Sequence, residues 1–146
     1  MSLDAAGLRV LTSGECLLLL REATVGRIAL SHRALPMILP VHYRLDGDDR
    51  IAISAVPGST LHRGTDGTVV AFEAEGPAGA AEPRWSVVVH GMATHTAPAV
   101  ATEPRAGILI TIARLSGREV PAACAGPDDR TFASSDGAGA GPSLAT

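Results

Sequence analysis

Lysine is absent from this chain: all 12 basic residues among its 146 are arginine, set against 15 acidic residues for a formal charge of −3. Schiff-base chemistry and a lysine phosphate clamp are thereby excluded. No basic run is dense enough to recognise nucleic acid, so no nucleic-acid partner is expected. Aromatic residues make up only 3% of a chain that is 46% hydrophobic, so its core must be built from Val, Ile, Leu and Ala. Cysteine is scarce too. Cys16 and Cys124 lie far apart with no CxxC or Cys/His spacing, which argues against zinc, and two thiols are too few for a disulfide scaffold. The expectation is no metal and a reduced, cytoplasmic setting. The opening stretch, Met1 to Leu11, has an early Asp4 and no long apolar segment, so neither a signal peptide nor a membrane span is expected. There is no G-x-S-x-G elbow, no HExxH helix and no Walker loop. His32, His42, His62, His90 and His95 do not share metal-ligand spacing. No catalytic residue is assigned.

What is present is a single-domain length of chain, enough to bury about two thirds of its unfolded surface. Thr12-Ser-Gly-Glu15 forms a capping box ahead of Cys16-Leu-Leu-Leu-Leu20, which predicts a helix over about 13–22 with Cys16 as a buried thiol. From Val25 onward the pattern becomes strand-like, with strands at about 27–31, 37–45, 50–55, 68–75, 85–95 and 107–116. Six strands with short connections imply an antiparallel barrel or sandwich. In the second strand Met37, Leu39, Val41, Tyr43 and Leu45 alternate with Pro40, His42 and Arg44. Pro40 donates no ladder bond and belongs at an edge or bulge. An odd-length loop around Asp46-Gly-Asp-Asp49 sets His42 opposite Ser54. Gly91 marks a bend or close backbone approach, and the apolar run Ile108 to Ile112 suggests a strand buried on both faces. Of the 26 residues from Pro121 to Thr146, 17 are Ala, Gly, Ser or Pro, so this segment is expected to be a flexible tail. The organisation is therefore read as 1–120 folded and 121–146 tail.

One stretch has the donors to hold a phosphate. Ser54-Ala-Val-Pro-Gly-Ser-Thr-Leu61 ends a strand in a Pro-Gly turn with hydroxyls at Ser59 and Thr60, and Arg63 follows. An ordinary turn leading into a short helix explains the same residues. Trp85, the only Trp, is a core or dimer-interface anchor or packs beside a planar cofactor. Arg27 is either a ligand charge or a solvated strand end.

Several segments occur together and in order: Gly14-Glu-Cys-Leu17, Val25-Gly-Arg-Ile-Ala29, Arg33-Ala-Leu-Pro36, Pro40-Val-His-Tyr43, Pro57-Gly-Ser59, Val69-Val-Ala-Phe-Glu73, Trp85-Ser-Val-Val88, Gly91-Met-Ala93 and Ser116-Gly-Arg118. Over roughly residues 10–120 the chain resembles the actinobacterial-type branch of the pyridoxamine 5'-phosphate oxidase-like flavoproteins, related to nitroimidazole-resistance proteins. The resemblance implies a mainly β fold: a six-stranded antiparallel split β-barrel of Greek-key type with a short N-terminal helix and few others. It also implies a homodimer with FMN in a groove at the subunit interface. Leu39, Pro40, Val41 and His42 would then line the isoalloxazine ring. Ser54, Ala55, Gly58, Ser59, Thr60, Leu61 and Arg63 would hold the ribityl chain and phosphate, and Trp85 and Ser86 would border the groove. Thr60 stands where relatives commonly carry Lys, and Ala97 to Arg105 replaces a longer helical connector. The implied function is a flavin-dependent oxidoreductase acting on a small-molecule acceptor. The alternative is a binding or storage barrel for flavin, deazaflavin or haem, or one without cofactor.

Overall fold

The computed structural model describes residues 1–76, 84–97 and 105–120. Thr12 opens the first helix, α1 (Ser13–Glu22), with its hydroxyl accepting the Glu15 amide at 3.2 Å. Only this half of the capping box forms, because the Glu15 carboxylate turns away to Arg9. Cys16 and Leu20 are the buried face of α1. The strands are β1 (Arg9–Val10), β2 (Val25–His32), β3 (Leu35–Asp46), β4 (Arg50–Ala55), β5 (Thr68–Gly76), β6 (Arg84–Thr96) and β7 (Ala106–Val120), with a one-turn helix α2 (Thr60–Arg63) between β4 and β5.

The fold is a mainly β, antiparallel split barrel. It has seven strands rather than six, the addition being β1, whose two residues pair with the end of β7. Two residues are too few to carry an alternation signal. The sheet order is β1-β7-β4-β3-β2-β5-β6, and β6 closes onto β7. Continuing the registers around the barrel from Ser86 through β5, β2, β3, β4 and β7 returns to β6 at Thr96, ten residues further along. This stagger is what tilts the strands and closes the sheet.

Alternation fixes what faces inward. Ile28, Val41, Ile51, Phe72, Val87, Val89, Ile108 and Ile110 fill the interior, and Tyr43 meets Phe72 edge to face with centroids 4.8 Å apart. The Tyr43 hydroxyl donates to the Leu20 carbonyl at 2.7 Å, tying α1 to the barrel wall. Gly91 sits at the one register shift between β6 and β7, where a side chain would collide with the Thr111 carbonyl, as its place in the strand suggests. The β2–β3 hairpin turns on Arg33 and Ala34, both at positive φ (51° and 64°), the left-handed conformation that a two-residue hairpin loop demands.

One expectation is corrected. The run Ile108 to Ile112 is not buried on both faces: Ile108 and Ile110 are fully buried, but Leu109 is half-buried and Thr111 exposed. Leu109 points outward into a groove, which accounts for an apolar residue at an outer position. Among the described residues no helix is long and apolar enough to cross a membrane. The expected tail, 121–146, and Cys124 within it lie outside the described residues, as does most of the Ala97–Arg105 connector.

Candidate functional site

The barrel opens where β3 and β4 part. They pair from Tyr43↔Ile53 to Asp46↔Arg50 around a three-residue loop, the odd length needed to bring His42 and Ser54 to facing positions. Beyond Tyr43 the two strands take different partners. β3 stays with β2 as far as His32↔Leu35, while β4 stays with β7 as far as Ala55↔Ala106. The carbonyls of Pro36, Ile38, Pro40 and His42 and the N–H groups of Ile38 and His42 thus face away from β2 with no strand partner among the described residues. Pro40 lies on this open edge, where its missing N–H costs no ladder bond.

Leu39 and Val41 point into the barrel, Pro40 and His42 outward. On the far side of the opening Ser54 is exposed and Ala55 buried. The chain then turns through Pro57 and Gly58, the latter at φ 79°, into α2. Ser59 caps this turn by accepting the His62 amide at 3.2 Å. The Gly58 N–H donates to His62 Nδ1, also at 3.2 Å. Thr60 and Arg63 are exposed and Leu61 half-buried. A side chain at Gly64 would strike Leu30, so α2 is seated closely under the end of β2.

Outside the opening lies a groove of about 370 Å³, within the range of small-ligand sites. His42 and Ser54 line it together with Arg44, Thr96, Arg105 and Leu109, over a floor that includes Ala52 and Gly107. None of its lining residues is a carboxylate. The nearest acid to Arg44 is Asp46 at 3.8 Å, too long for a strong pair. The chemistry of this donor set suits an anion.

Sequence reasoning reached His42 and Ser54 but missed Arg44, Thr96 and Arg105, which converge only when β3, β4, β6 and β7 are assembled. It also missed the pairing of His62 with His95, whose rings stack with centroids 4.0 Å apart and planes 13° from parallel. Alternating polar positions on β3 were the signal available for Arg44. The histidine pair had none.

Trp85 and Ser86 stand apart from this group. Ser86 is on the outer face of β6, its hydroxyl on Glu73 at 3.1 Å, and β2 and β5 separate it from His42, roughly 14 Å at the usual strand spacing. Arg27, between them, lies 3.8 and 3.5 Å from Glu73 and Glu75, so unlike Arg44 it faces two carboxylates and adds no net positive charge there. Trp85 faces the opposite way, into a cavity of about 470 Å³ with Leu11, Leu18 and Leu19 of the α1 side. Glu15, Glu22 and Glu119 rim that cavity, and Arg9 bridges Glu15 and Glu119. Three carboxylates against one arginine make it a poor place for an anion. Among the described residues no group of three or more His, Cys, Asp or Glu is placed to hold a metal ion.

The family model for pyridoxamine 5'-phosphate oxidase matches residues 12–119. No curated protein matches the chain. Among solved structures, the FAD binding protein from Mycobacterium smegmatis superposes with a TM-score of 0.65 at 24% identity, over 77% of this chain and 97% of that one. An FAD-binding protein from Mesorhizobium loti gives 0.65 at 22% identity, over 77% of this chain and 98% of that one. The FAD and heme binding protein from Mycobacterium smegmatis gives 0.60 at 14% identity, over 80% and 75%. At these identities the likeness is one of fold.

Proposed function

Since this chain belongs to the pyridoxamine 5'-phosphate oxidase family, we propose that it binds a flavin nucleotide, FMN, in the opening between β3 and β4. The observation that carries this reading is the unpaired β3 edge from Leu35 to His42 beside a groove free of carboxylates. An isoalloxazine rim carries both hydrogen-bond donors and acceptors, and this edge offers the His42 N–H with the Pro40 and His42 carbonyls to meet them. Backbone groups of Pro40 and His42 meet the ring, and Leu39 and Val41, bonded to β2, form the strand wall behind them. Ser54, Ala55 and Leu61 border the ribityl chain, and the Ser59 and Thr60 hydroxyls with Arg63 take the phosphate. That two structurally similar proteins are FAD-binding supports a flavin, and the titration below separates FMN from FAD.

Bound flavin would supply hydride or electron transfer to a small acceptor. The protein's part is to orient the ring, exclude water from the face against β3, and offer the His42 imidazole as a donor at the groove. Arg44 and Arg105 favour an acceptor that carries negative charge.

The unit proposed is a homodimer built from residues 1–120. Ile38 and Val69 are each 70% exposed and Met92 43%, and the strand registers join them through Ala29 and Ala71 into one outer apolar face. Ser86 of a second copy packed on that face would border the groove that it does not reach within one chain, with Trp85 beside it in β6 but turned to its own α1 cavity.

A second reading, a barrel that stores or senses flavin without catalysis, is favoured by the groove itself, where His42 has no carboxylate beside it to complete an acid–base pair. Purified protein titrated with FMN, FAD and a deazaflavin, followed by absorbance and flavin fluorescence, tests binding. Saturable FMN binding is expected, and no binding of any flavin overturns the proposal. Reduction of the bound flavin by a nicotinamide cofactor and reoxidation by small acceptors then separate enzyme from carrier.

A further inference from the structure

His62 and His95 are 33 positions apart and meet because α2 packs against the end of β6. Their hydrogen bonds assign the tautomers. Thr65 donates its hydroxyl hydrogen to the Leu61 carbonyl at 2.8 Å, so at 3.2 Å it receives one from His95 Nε2. His62 Nδ1 accepts the Gly58 N–H, so its own hydrogen is on Nε2. The two nitrogens left to take a proton, Nδ1 of each ring, differ in what they hold. Protonating His95 at Nδ1 displaces no hydrogen bond among the described residues. Protonating His62 at Nδ1 turns an acceptor into a donor, expels the Gly58 N–H, and sets a second charge parallel to the first.

We infer that the His62–His95 stack is a proton-operated latch on the Gly58–Arg63 turn. The pair takes up protons in two steps, as coupled sites do. The first, on His95, leaves the latch closed. The second, on His62, releases the Gly58 amide and gives the turn a cation. The surrounding groups keep that order. Asp66, whose carboxylate accepts the His95 amide at 3.0 Å, favours charge on His95. Arg63, next along α2, disfavours it on His62. His32, at the end of β2 beside Gly64, is a third imidazole on the same side and opposes further charge.

The consequence for ligand binding rests on the flavin reading above. A phosphate at the turn competes with His62 Nδ1 for the Gly58 N–H and attracts the proton that opens the latch, so FMN binding is accompanied by proton uptake at His62. The imidazolium then stands in for the ammonium that Thr60 does not supply.

The latch itself is tested without flavin. In NMR titrations of the ligand-free protein, the Gly58 amide shift is expected to move with the His62 imidazole and not with His95. In His95→Phe, which keeps a ring to stack and removes the first charge, the shared midpoint should rise by at least about half a pH unit. In His62→Gln the Gly58 amide should lose its pH dependence. A Gly58 amide indifferent to the His62 titration, or an unmoved midpoint in His95→Phe, overturns the latch whatever flavin does. FMN affinity is then compared between wild type and His62→Gln at pH 8 and pH 6, with riboflavin as the phosphate-free control. A wild-type advantage of several-fold that appears only at pH 6 and only for FMN supports the coupling. If the latch titrates as expected but FMN shows no such advantage, the latch stands and the placement of phosphate at this turn falls.

Discussion

Thr60→Lys adds the charge that the family resemblance leads one to expect at this turn, and its effect can be sized from the site. Thr60 is the first residue of α2 and is exposed, so an ammonium there fits without repacking. A hydrogen bond between charged partners contributes on the order of 1.5–3 kcal/mol in a dry site. At an exposed turn, solvent screening reduces this to about 1–1.5 kcal/mol, which corresponds to roughly five- to tenfold tighter FMN binding. Quenching of flavin fluorescence measures it directly. Riboflavin has no phosphate, so its affinity should stay the same in wild type and variant. The melting temperature should move little, because a four-residue helix offers only a weak dipole for the new charge to oppose. Unchanged FMN affinity, or an equal gain for riboflavin, would refute the assignment of the phosphate to this turn.

Outcomes at three further positions are expected. Tyr43 is the chain's only tyrosine, and burial pushes its phenol up to about 12, so tyrosinate absorbance should titrate near that value and not near 10. Because the folded value lies above the unfolded one, the stability it carries is complete below about pH 10 and fades as pH rises from about 10 to 12. Tyr43→Phe should remove that alkaline dependence and cost about 1–3 kcal/mol at neutral pH in a denaturant melt, since it leaves the Leu20 carbonyl without its donor. Ala34→Gly should stabilise the protein by about 1 kcal/mol in the same assay, by relieving a left-handed alanine at φ 64°. Ile38→Arg should leave the melt within about 0.5 kcal/mol of wild type while converting the proposed dimer to a monomer in sedimentation. A dimer that persists would place the interface elsewhere.

The elements of this fold were legible in sequence wherever a local rule acts alone. Thr12 and the leucines after it mark α1, and strict alternation in Met37 to Leu45 marks β3, its inner face included. Pro40 signalled an edge or a bulge, and the structure puts it on an open edge. Where tertiary context decides, the local signal misled or was silent. Leu109 completes an apolar run that resembles a fully buried strand, yet it faces a groove. Arg9 and Val10 form a strand only because the end of β7 offers them a partner. In the candidate site, His42 and Ser54 could be matched through the hairpin register because both lie in one local unit. Arg105, Thr96 and the stacked His62 and His95 depend on β6, β7 and α2 meeting at one end of the barrel, a juxtaposition set by the ten-residue stagger that no window of sequence contains.

The central claim is that a flavin nucleotide binds between the open β3 edge and the Ser54–Arg63 segment. Amide chemical-shift mapping of the isotopically labelled protein with FMN tests it most directly. The largest perturbations are predicted at Leu39, Val41 and His42 and from Ser54 to Arg63, with the amides around Leu11, Leu18 and Leu19 unmoved. Perturbations centred on the α1 cavity and absent from the β3 edge would contradict the account.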